Sequence, residues 1–264
     1  AEALAALDVD LVYSNVGYLP LAAAQAAGIP CVALCSLNWA DIFAHYLGHR
    51  PGAGAMLDVM RAAYAGADRF LRPEPSMAMN DLVNTLAIPP IAQPGRARHD
   101  ELRASLGLAP GSRLVLVGLG GIPHRLPVEA WPVTSGVAWL VPDEWRVART
   151  DVIGFAATGM AYADLLASAD ALVTKPGYGS FVEAVRAGVP VLHLPRPDWP
   201  ETPCLVDWLH ASGRAREIDA SRLAKGDLRD DLEALWAMPV PAPIQADGAE
   251  VAAVALQRLA ARLV

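Results

Sequence analysis

A glycine-rich turn between a strand and a helix is the part of the sequence with the clearest chemistry. The apolar run from Ala171 to Thr174 predicts a strand, and Lys175-Pro-Gly-Tyr-Gly-Ser180 joins it to a helical segment. The two glycines of this turn would let the backbone approach a ligand and adopt positive φ without steric cost. The first N–H groups of the helix would point at that ligand, with the positive end of the helix dipole behind them. This layout predicts a phosphate site, and it suits a nucleotide diphosphate.

A ligand-free explanation of the same turn also fits the sequence. Ser180 and Glu183 have the S-x-x-E spacing of a capping box, in which the two side chains bond to each other's backbone N–H groups at a helix start. Short glycine motifs are frequent false positives for phosphate sites. The spacing alone therefore leaves a structural role and a binding role open.

The segment from Ala169 to Pro195 contains this turn and resembles the nucleotide-sugar-binding region of GT-B glycosyltransferases. The likeness is strongest to the C-terminal domain of glycosyltransferase family 28, and it extends loosely over the second half of the chain. In the peptidoglycan-building N-acetylglucosaminyltransferases of that family, a glycine-led turn carries the diphosphate and a glutamate on the next helix holds the ribose hydroxyls. The resemblance assigns these roles to Gly177, Tyr178, Gly179 and Ser180, and to Glu183.

The resemblance implies further residues on the donor side. Gly120 and Gly121 form a second glycine turn after a predicted strand, where family members face the donor phosphates. Phe155 follows another strand, near the loop that binds the nucleobase in the family, although core packing is an equally simple role for a lone aromatic residue. Lys175 and Arg196 are candidates for adding positive charge at the diphosphate.

The sequence departs from the family where its members carry a His-Gln pair that contacts the donor sugar. Here the chain has Asp198-Trp-Pro-Glu201, so Glu201 occupies the comparable place at the start of a predicted helix. Its carboxylate is a candidate acceptor of sugar hydroxyls, and stabilising the helix N-terminus is the alternative. The Trp-Pro-Glu stretch also resembles a GT-B-like group that includes the glycosyltransferase-like domain attached to some sugar kinases. The donor sugar therefore does not carry over from the family.

Candidates for a catalytic base lie elsewhere. Asp41 follows the predicted strand at Cys31 to Cys35, at the carboxyl edge where open α/β sheets bind ligands. The alternative is that Asn38 or Ser36 caps the helix that contains Asp41, with Trp39 packed. His124 comes after the second glycine turn, and a histidine there is able to accept a proton from an acceptor hydroxyl near neutral pH. A surface loop histidine with no such role is the alternative.

Apolar runs that predict strands alternate with helical segments along the whole chain. Such an alternation predicts parallel sheets covered by helices on both faces, as two Rossmann-like doubly wound α/β lobes. We place an N-terminal, acceptor-side lobe at residues 1–94 and a C-terminal, nucleotide-sugar-binding lobe at residues 95–264. Ala87 to Gly95 is read as an extended linker, which leaves the first lobe about three strands and makes it look incomplete. The last helix is expected to pack back on the N-terminal lobe.

Composition limits the classes of partner. The net charge is −7 and no basic cluster appears, so nucleic acid is not favoured as a partner. No apolar run is long enough for a membrane span and the first residues have no signal-peptide pattern, which predicts a cytoplasmic protein. The three cysteines form no zinc or disulfide pattern, and a reducing compartment suits them.

The sequence and the resemblance together predict a glycosyltransferase. It would move a sugar from a nucleotide diphosphate-sugar, with UDP as the expected nucleotide, to a hydroxyl of a small-molecule or glycan acceptor. Backbone N–H groups and the helix dipole would compensate the charge of the leaving diphosphate, so neither a cofactor nor a metal ion is expected. Two alternatives stay open: a non-catalytic nucleotide-sugar-binding or regulatory module, and a nucleotide-sugar epimerase on the same fold. The oligomeric state does not follow from the sequence.

Overall fold

The computed structural model describes residue 4 and residues 6–120 and 125–261 of the chain. Ten strands are present in these ranges: β1 (Val12–Ser14), β2 (Cys31–Leu34), β3 (Arg69–Pro73), β4 (Thr85–Ile88), β5 (Arg113–Val117), β6 (Val137–Val141), β7 (Val152–Gly154), β8 (Ala171–Thr174), β9 (Val191–His193) and β10 (Ala215–Glu217).

Helices separate most of these strands along the chain. Those described are α1 (Tyr18–Ala26), α2 (Trp39–Leu47), α3 (Ala53–Ala65), α4 (His99–Ser105), α5 (Tyr162–Ala167), α6 (Tyr178–Ala187), α7 (Thr202–Ser212), α8 (Ala220–Lys225), α9 (Arg229–Trp236) and α10 (Gly248–Ala260). Short 3₁₀ turns occupy Val128–Ala130, Asp143–Trp145 and Phe155–Thr158. Every helix in the described ranges is too short or too polar to cross a bilayer.

The chain divides into two compact units, each with its own parallel sheet. The first unit comprises Ala1–Ile91, Trp199–Cys204 and Ala246–Val264, and the second comprises Ala92–Asp198 and Leu205–Gln245. The strand order is β1-β2-β3-β4 in the first and β10-β9-β8-β5-β6-β7 in the second, and every adjacent pair is parallel. The predicted pair of doubly wound α/β lobes is confirmed.

Both sheets are covered by apolar side chains, as the continuous apolar strands predict. In the second unit Trp139 of β6 is fully buried, and its ring meets that of Trp131 edge to face with centroids 4.9 Å apart. In the first unit Ala252 of α10 is buried against Val32, Leu71 and Ile88. The last described helix therefore packs on the four-stranded sheet of the first unit.

Two helices end at a glycine that precedes a proline-led strand, as the sequence pattern indicates. Gly28 after α1 and Gly188 after α6 have φ of 69° and 71°. This left-handed conformation is costly for residues with a β-carbon, so glycine is the residue that ends a helix in this way. The chain then turns directly into β2 and β9.

The prediction of an extended linker from Ala87 to Gly95 is wrong for the first two residues of that segment. Ala87 and Ile88 belong to β4, which pairs with β3 over four residues, rather than to an extended linker. The first sheet has four described strands instead of three. The strand stops before Pro89, which has no N–H to donate to a ladder. Helix α8 was not predicted either, and Asp219 caps it by accepting a hydrogen bond from the Ser221 N–H.

Candidate active site

The strand order of the second unit identifies the place where a ligand is expected. β5 lies between β6 on one side and β8 on the other, so the direction in which the chain builds the sheet reverses between β5 and β8. Open α/β sheets bind ligands beyond the carboxyl ends of the strands at such a switch point. Gly118 to Gly120 follow β5 there, and Lys175 to Gly177 follow β8. The two predicted glycine turns thus lie side by side at the edge where a ligand is expected.

Helix α6 begins earlier than the capping-box interpretation requires. Its first residue is Tyr178, and Gly177 is the N-cap, with no side-chain capping hydrogen bond. Ser180 is already inside the first turn, so the predicted reciprocal cap between Ser180 and Glu183 is wrong. The backbone N–H groups of this turn are therefore not covered by a side-chain cap.

Neither predicted glycine needs the conformational freedom of glycine. Gly177 has φ of −170°, which is extended backbone, and Gly179 lies within α6. The prediction that this turn uses positive φ is wrong. A β-carbon on Gly179 would meet no atom within 4 Å, and one on Gly177 would lie 3.9 Å from the Lys175 carbonyl oxygen. Glycine at these two positions leaves open space next to the start of the helix.

Lys175 brings positive charge to the same edge. Its side chain is half-buried and packs close to the second turn, since a β-carbon on Gly120 would lie 3.4 Å from Lys175 Nζ. Burial, and then the positive charge of Arg196, lower the pKa of Lys175. Within the described ranges no carboxylate forms an ion pair with this ammonium group. The arrangement favours an anion here, because an anion would offset the partly desolvated charge of Lys175.

Glu183 lies one turn further along α6 and is half-buried. Its carboxylate accepts a hydrogen bond from the backbone N–H of Gln93. Burial raises the pKa of Glu183, and the Gln93 hydrogen bond opposes that rise only in part. A desolvated carboxylate with one protein donor retains acceptor capacity for further hydroxyl donors.

Phe155 is held in a loop at the carboxyl end of β7. The Asp143 carboxylate accepts from the backbone N–H of Ala156 with both oxygens at 3.0 Å. Gly154 permits this approach, because a β-carbon there would lie 2.4 Å from Asp143 Oδ1. Phe155 itself is half-buried rather than part of the closed core, which leaves part of its ring accessible beside the sheet edge.

Tyr162, the first residue of α5, also lies at this site, although the sequence motifs did not indicate it. Its ring meets that of Phe155 with centroids 6.1 Å apart, and its hydroxyl is 2.8 Å from where a β-carbon of Gly118 would lie. Burial, and then the charge of Glu183, raise the pKa of Tyr162. Tyr162 therefore joins Gly118, Phe155 and Glu183 into one group. A tyrosine just after a predicted strand-to-helix loop is the signal that marks it in the sequence.

Glu201 belongs to the first unit, and the donor-side residues described above belong to the second. It is 5% exposed, and Ser36 Oγ and Trp199 Nε1 each donate to one oxygen of its carboxylate. Ser36 follows β2, so this pair ties the Trp199–Cys204 segment to the carboxyl end of that strand. Both oxygens of the carboxylate thus have donors within the chain.

Asp41 also lies in the first unit, in the first turn of α2. Asn38 is the N-cap: its Oδ1 accepts from the Asp41 N–H at 2.8 Å, and its Nδ2 donates to Asp41 Oδ2 at 2.7 Å. The predicted cap at Asn38 is confirmed. Gly121 and His124 lie outside the described residues.

Comparison with known proteins gives no matching family model. Among curated proteins, L-arabinokinase of Arabidopsis thaliana is 24% identical over an aligned stretch of 265 residues that covers 98% of this chain and 25% of that protein. The chain thus spans about a quarter of this relative's length. The likeness agrees with the resemblance of the Trp-Pro-Glu stretch to the glycosyltransferase-like domain of some sugar kinases.

Solved structures resemble the chain over most of its length. The glycotransferase of kitacinnamycin has a TM-score of 0.61 at 18% identity and covers 90% of this chain and 71% of its own. Arabidopsis thaliana UGT89C1, in complex with UDP, has a TM-score of 0.53 at 17% identity, and the match covers 98% of this chain and 74% of UGT89C1.

The name of a third similar structure indicates a different reaction, an epimerisation. It is a putative UDP-N-acetylglucosamine 2-epimerase from Listeria monocytogenes, with a TM-score of 0.58 at 14% identity and with 97% of this chain and 76% of its own covered. At such identities these likenesses establish the fold and no more. The chain has the GT-B fold of two Rossmann-like lobes.

Proposed function

We propose that this protein binds a nucleotide diphosphate-sugar, with UDP as the nucleotide, and transfers the sugar to an acceptor hydroxyl without a metal ion. The half-buried Lys175 ammonium carries the proposal. It lies at the switch point of the second sheet, where the charge of Arg196 acts on it, and Lys175 itself forms no ion pair with a carboxylate of the described residues. Such a group costs free energy unless an anion offsets it. The diphosphate supplies that anion.

The diphosphate would lie at the start of α6. Uncapped N–H groups there are donors for phosphate oxygens, and the open space beside Gly177 and Gly179 lets those oxygens approach the backbone. As the bond between sugar and phosphate breaks, negative charge grows on the leaving diphosphate. Donors fixed before the reaction stabilise that charge without reorganising. Lys175 adds a full positive charge, which is the role that a metal ion takes in other transferases.

Glu183 would hold the ribose and Phe155 the base. The Glu183 carboxylate has acceptor capacity left after its bond to Gln93, and two adjacent ribose hydroxyls are the donors that suit it. Phe155 offers an apolar face at the same sheet edge, on a loop fixed by Asp143. Tyr162 packs against Phe155 and keeps that ring in place. Ser180 and Tyr178 line the same helix start.

The base that accepts the proton of the acceptor hydroxyl is proposed to be Asp41 or His124. The Asn38 bond orients the Asp41 carboxylate through Oδ2 and leaves Asp41 Oδ1 without a hydrogen-bond donor among the described residues. Asp41→Asn and His124→Ala separate the two, because the true base is required for transfer and leaves donor affinity unchanged. Glu201 as a contact of the donor sugar is the weaker proposal, since protein donors already engage both of its oxygens.

Calorimetry with UDP tests the donor site directly. We expect Lys175→Ala to weaken UDP binding at least tenfold, since one charge-assisted contact contributes about 1.5–3 kcal/mol. Lys225→Ala, which removes the other lysine of the chain from the exposed end of α8, is the matched control and should bind UDP normally. Equal affinity in Lys175→Ala and wild type would reject the assignment. Transfer is then measured with a radiolabelled UDP-sugar and a panel of acceptors.

Two specific observations favour other outcomes of the same experiment. The similarity of the chain to a quarter of L-arabinokinase favours a nucleotide-sugar-binding module within a larger protein. Tight UDP binding with neither transfer nor hydrolysis would support that module. The likeness to a putative 2-epimerase favours isomerisation, which conversion of the labelled donor to its epimer, without an acceptor, would reveal.

A further inference from the structure

A cavity lies at the amino edge of the second sheet, opposite the carboxyl edge that holds the candidate active site. Its volume is about 280 Å³, near the lower end of the ~300–1,000 Å³ of small-molecule pockets. The cavity is lined by residues that begin or precede strands: Arg113 opens β5, Asp170 precedes β8, Pro190 precedes β9 and Arg214 precedes β10. Because all these strands are parallel, the lining belongs to the amino edge. Lys175 and the start of α6 lie at the other edge.

Asp170 carries the one carboxylate among the described residues that line this cavity, and it is fully engaged. It accepts hydrogen bonds from Arg103 at 2.8 and 3.0 Å, from Arg113 at 3.0 Å and from the backbone N–H of Leu114 at 2.7 Å. Its side chain is 8% exposed. One negative charge is thus shared by two guanidinium groups, and a net positive charge remains before Arg214 is counted.

Arg214 adds a further positive charge without a counterion. Its Nη2 donates to the carbonyl oxygen of Gly188 at 2.8 Å, and no carboxylate of the described chain forms an ion pair with it. Burial, and then the charge of Arg113, lower the pKa of Arg214. Two guanidinium groups therefore repel each other across a partly desolvated cavity.

The walls of the cavity are fixed by the fold. Trp236 of α9 donates from Nε1 to the carbonyl oxygen of Asp170 at 2.8 Å, and the Arg113 guanidinium carbon lies 5.1 Å from the centre of its ring. This stacking and the bond to Asp170 hold Arg113 in one position. Arg214 is held by the end of α6. Two planar guanidinium groups in fixed positions form the geometry that recognises carboxylate and phosphate oxygens.

We propose that this amino-edge cavity is a binding site for a small oxyanion ligand, a phosphate or carboxylate group, held by Arg214 and Arg113. The ligand would neutralise the excess charge of the three arginines over Asp170. It would bind independently of the diphosphate site, because the two sites lie at opposite edges of the sheet and share no side chain.

Calorimetric titration of the whole chain with inorganic phosphate, and separately with acetate, at constant ionic strength tests the site. We expect saturable binding of at least one anion, and the stronger of the two identifies the ligand class. Arg214→Gln should weaken that binding at least tenfold. Ala187→Glu places a carboxylate at the exposed last residue of α6, on the cavity wall, and should have the same effect without removing a native contact.

Two further variants distinguish this site from other anion binding. Arg229→Gln removes a guanidinium group from the surface pair with Glu233 and should leave binding unchanged, which controls for net charge. In a Lys175→Ala background, in which the proposed diphosphate site is impaired, the binding that Arg214→Gln weakens should persist, because Arg214 lies at the amino edge and Lys175 at the carboxyl edge. The proposal is overturned if wild type binds neither anion saturably, if Arg214→Gln and Ala187→Glu both retain full affinity, or if Lys175→Ala alone abolishes binding.

Discussion

Replacing Gly179 by alanine should raise stability and lower nucleotide affinity. Gly179 is the second residue of α6, its φ lies in the ordinary range, and an added β-carbon would meet no protein atom within 4 Å. Glycine is about 1 kcal/mol less favourable than alanine inside a helix, and the difference is smaller in the first turn. We therefore expect a gain of ~0.5 kcal/mol, which corresponds to ~1–2 °C in the unfolding temperature of a domain of this size.

The same methyl group would occupy the space proposed for the diphosphate. Moving the phosphate away from the start of the helix loses at least one charge-assisted hydrogen bond, which contributes about 1.5–3 kcal/mol. Since 1.4 kcal/mol is about tenfold in affinity, UDP should bind roughly 10- to 100-fold more weakly. The assays are calorimetry with UDP and thermal unfolding monitored by circular dichroism.

Gly188→Ala is the matched control at the other end of the same helix. Its φ of 71° makes the added β-carbon unfavourable by ~1–2 kcal/mol, so this variant should lose stability while binding UDP normally. The two substitutions therefore have opposite effects on stability, and only the first affects affinity. A Gly179→Ala protein that is stably folded and binds UDP as tightly as wild type would refute the placement of the diphosphate.

Three other outcomes follow from the same structure. Affinity for UDP-glucose should decrease as the pH is lowered from 7 through the raised pKa of Glu183, because the carboxylate form accepts the ribose hydroxyls. Glu183→Gln should bind UDP-glucose weakly at every pH. Calorimetry across pH shows whether the pH dependence of the affinity disappears in this variant. Incubation with EDTA should leave both UDP binding and any transfer rate unchanged, and a loss restored by Mg²⁺ would contradict the role given to Lys175. Ser36→Ala should destabilise the first unit by about 1–3 kcal/mol in urea unfolding, since it leaves the buried Glu201 with one donor fewer, and UDP affinity should stay the same.

The sequence identified most strands because each is a local apolar run. The predicted segment at Ala171 to Thr174 matches β8 residue for residue, and the one at Cys31 to Cys35 exceeds β2 by one residue. β4 was missed because Thr85–Ile88 is short, lies at an edge and precedes two prolines that are typical of a linker. Its strand character comes from β3 and from α10, which packs on it more than 150 residues later in the chain. Partners so distant leave no local pattern.

The start of α6 shows why spacing alone did not decide the role of its residues. Ser180 and Glu183 fit a capping box only if the helix begins after Ser180, and helix starts are commonly uncertain by a residue or two. In the structure, Gly177 and Tyr178 already begin the helix, so both side chains are released from capping. The glycines and the serine then lie in the first turn at the sheet edge, and Glu183 lies one turn further along the helix. Because neither Ser180 nor Glu183 caps the helix, a ligand role is simpler than a structural one.

Glu201 shows how a long-range partner adds what a local motif does not contain. By position in the chain it follows β9 and belongs with the donor-side residues, yet its partner Ser36 is 165 residues away. A buried carboxylate needs hydrogen-bond donors, and Ser36 and Trp199 supply one to each oxygen. These two hydrogen bonds account for the buried carboxylate of Glu201 without a sugar ligand. The proposed chemistry depends instead on Lys175 and Glu183, which supply a positive charge and acceptor capacity at the carboxyl edge of the second sheet.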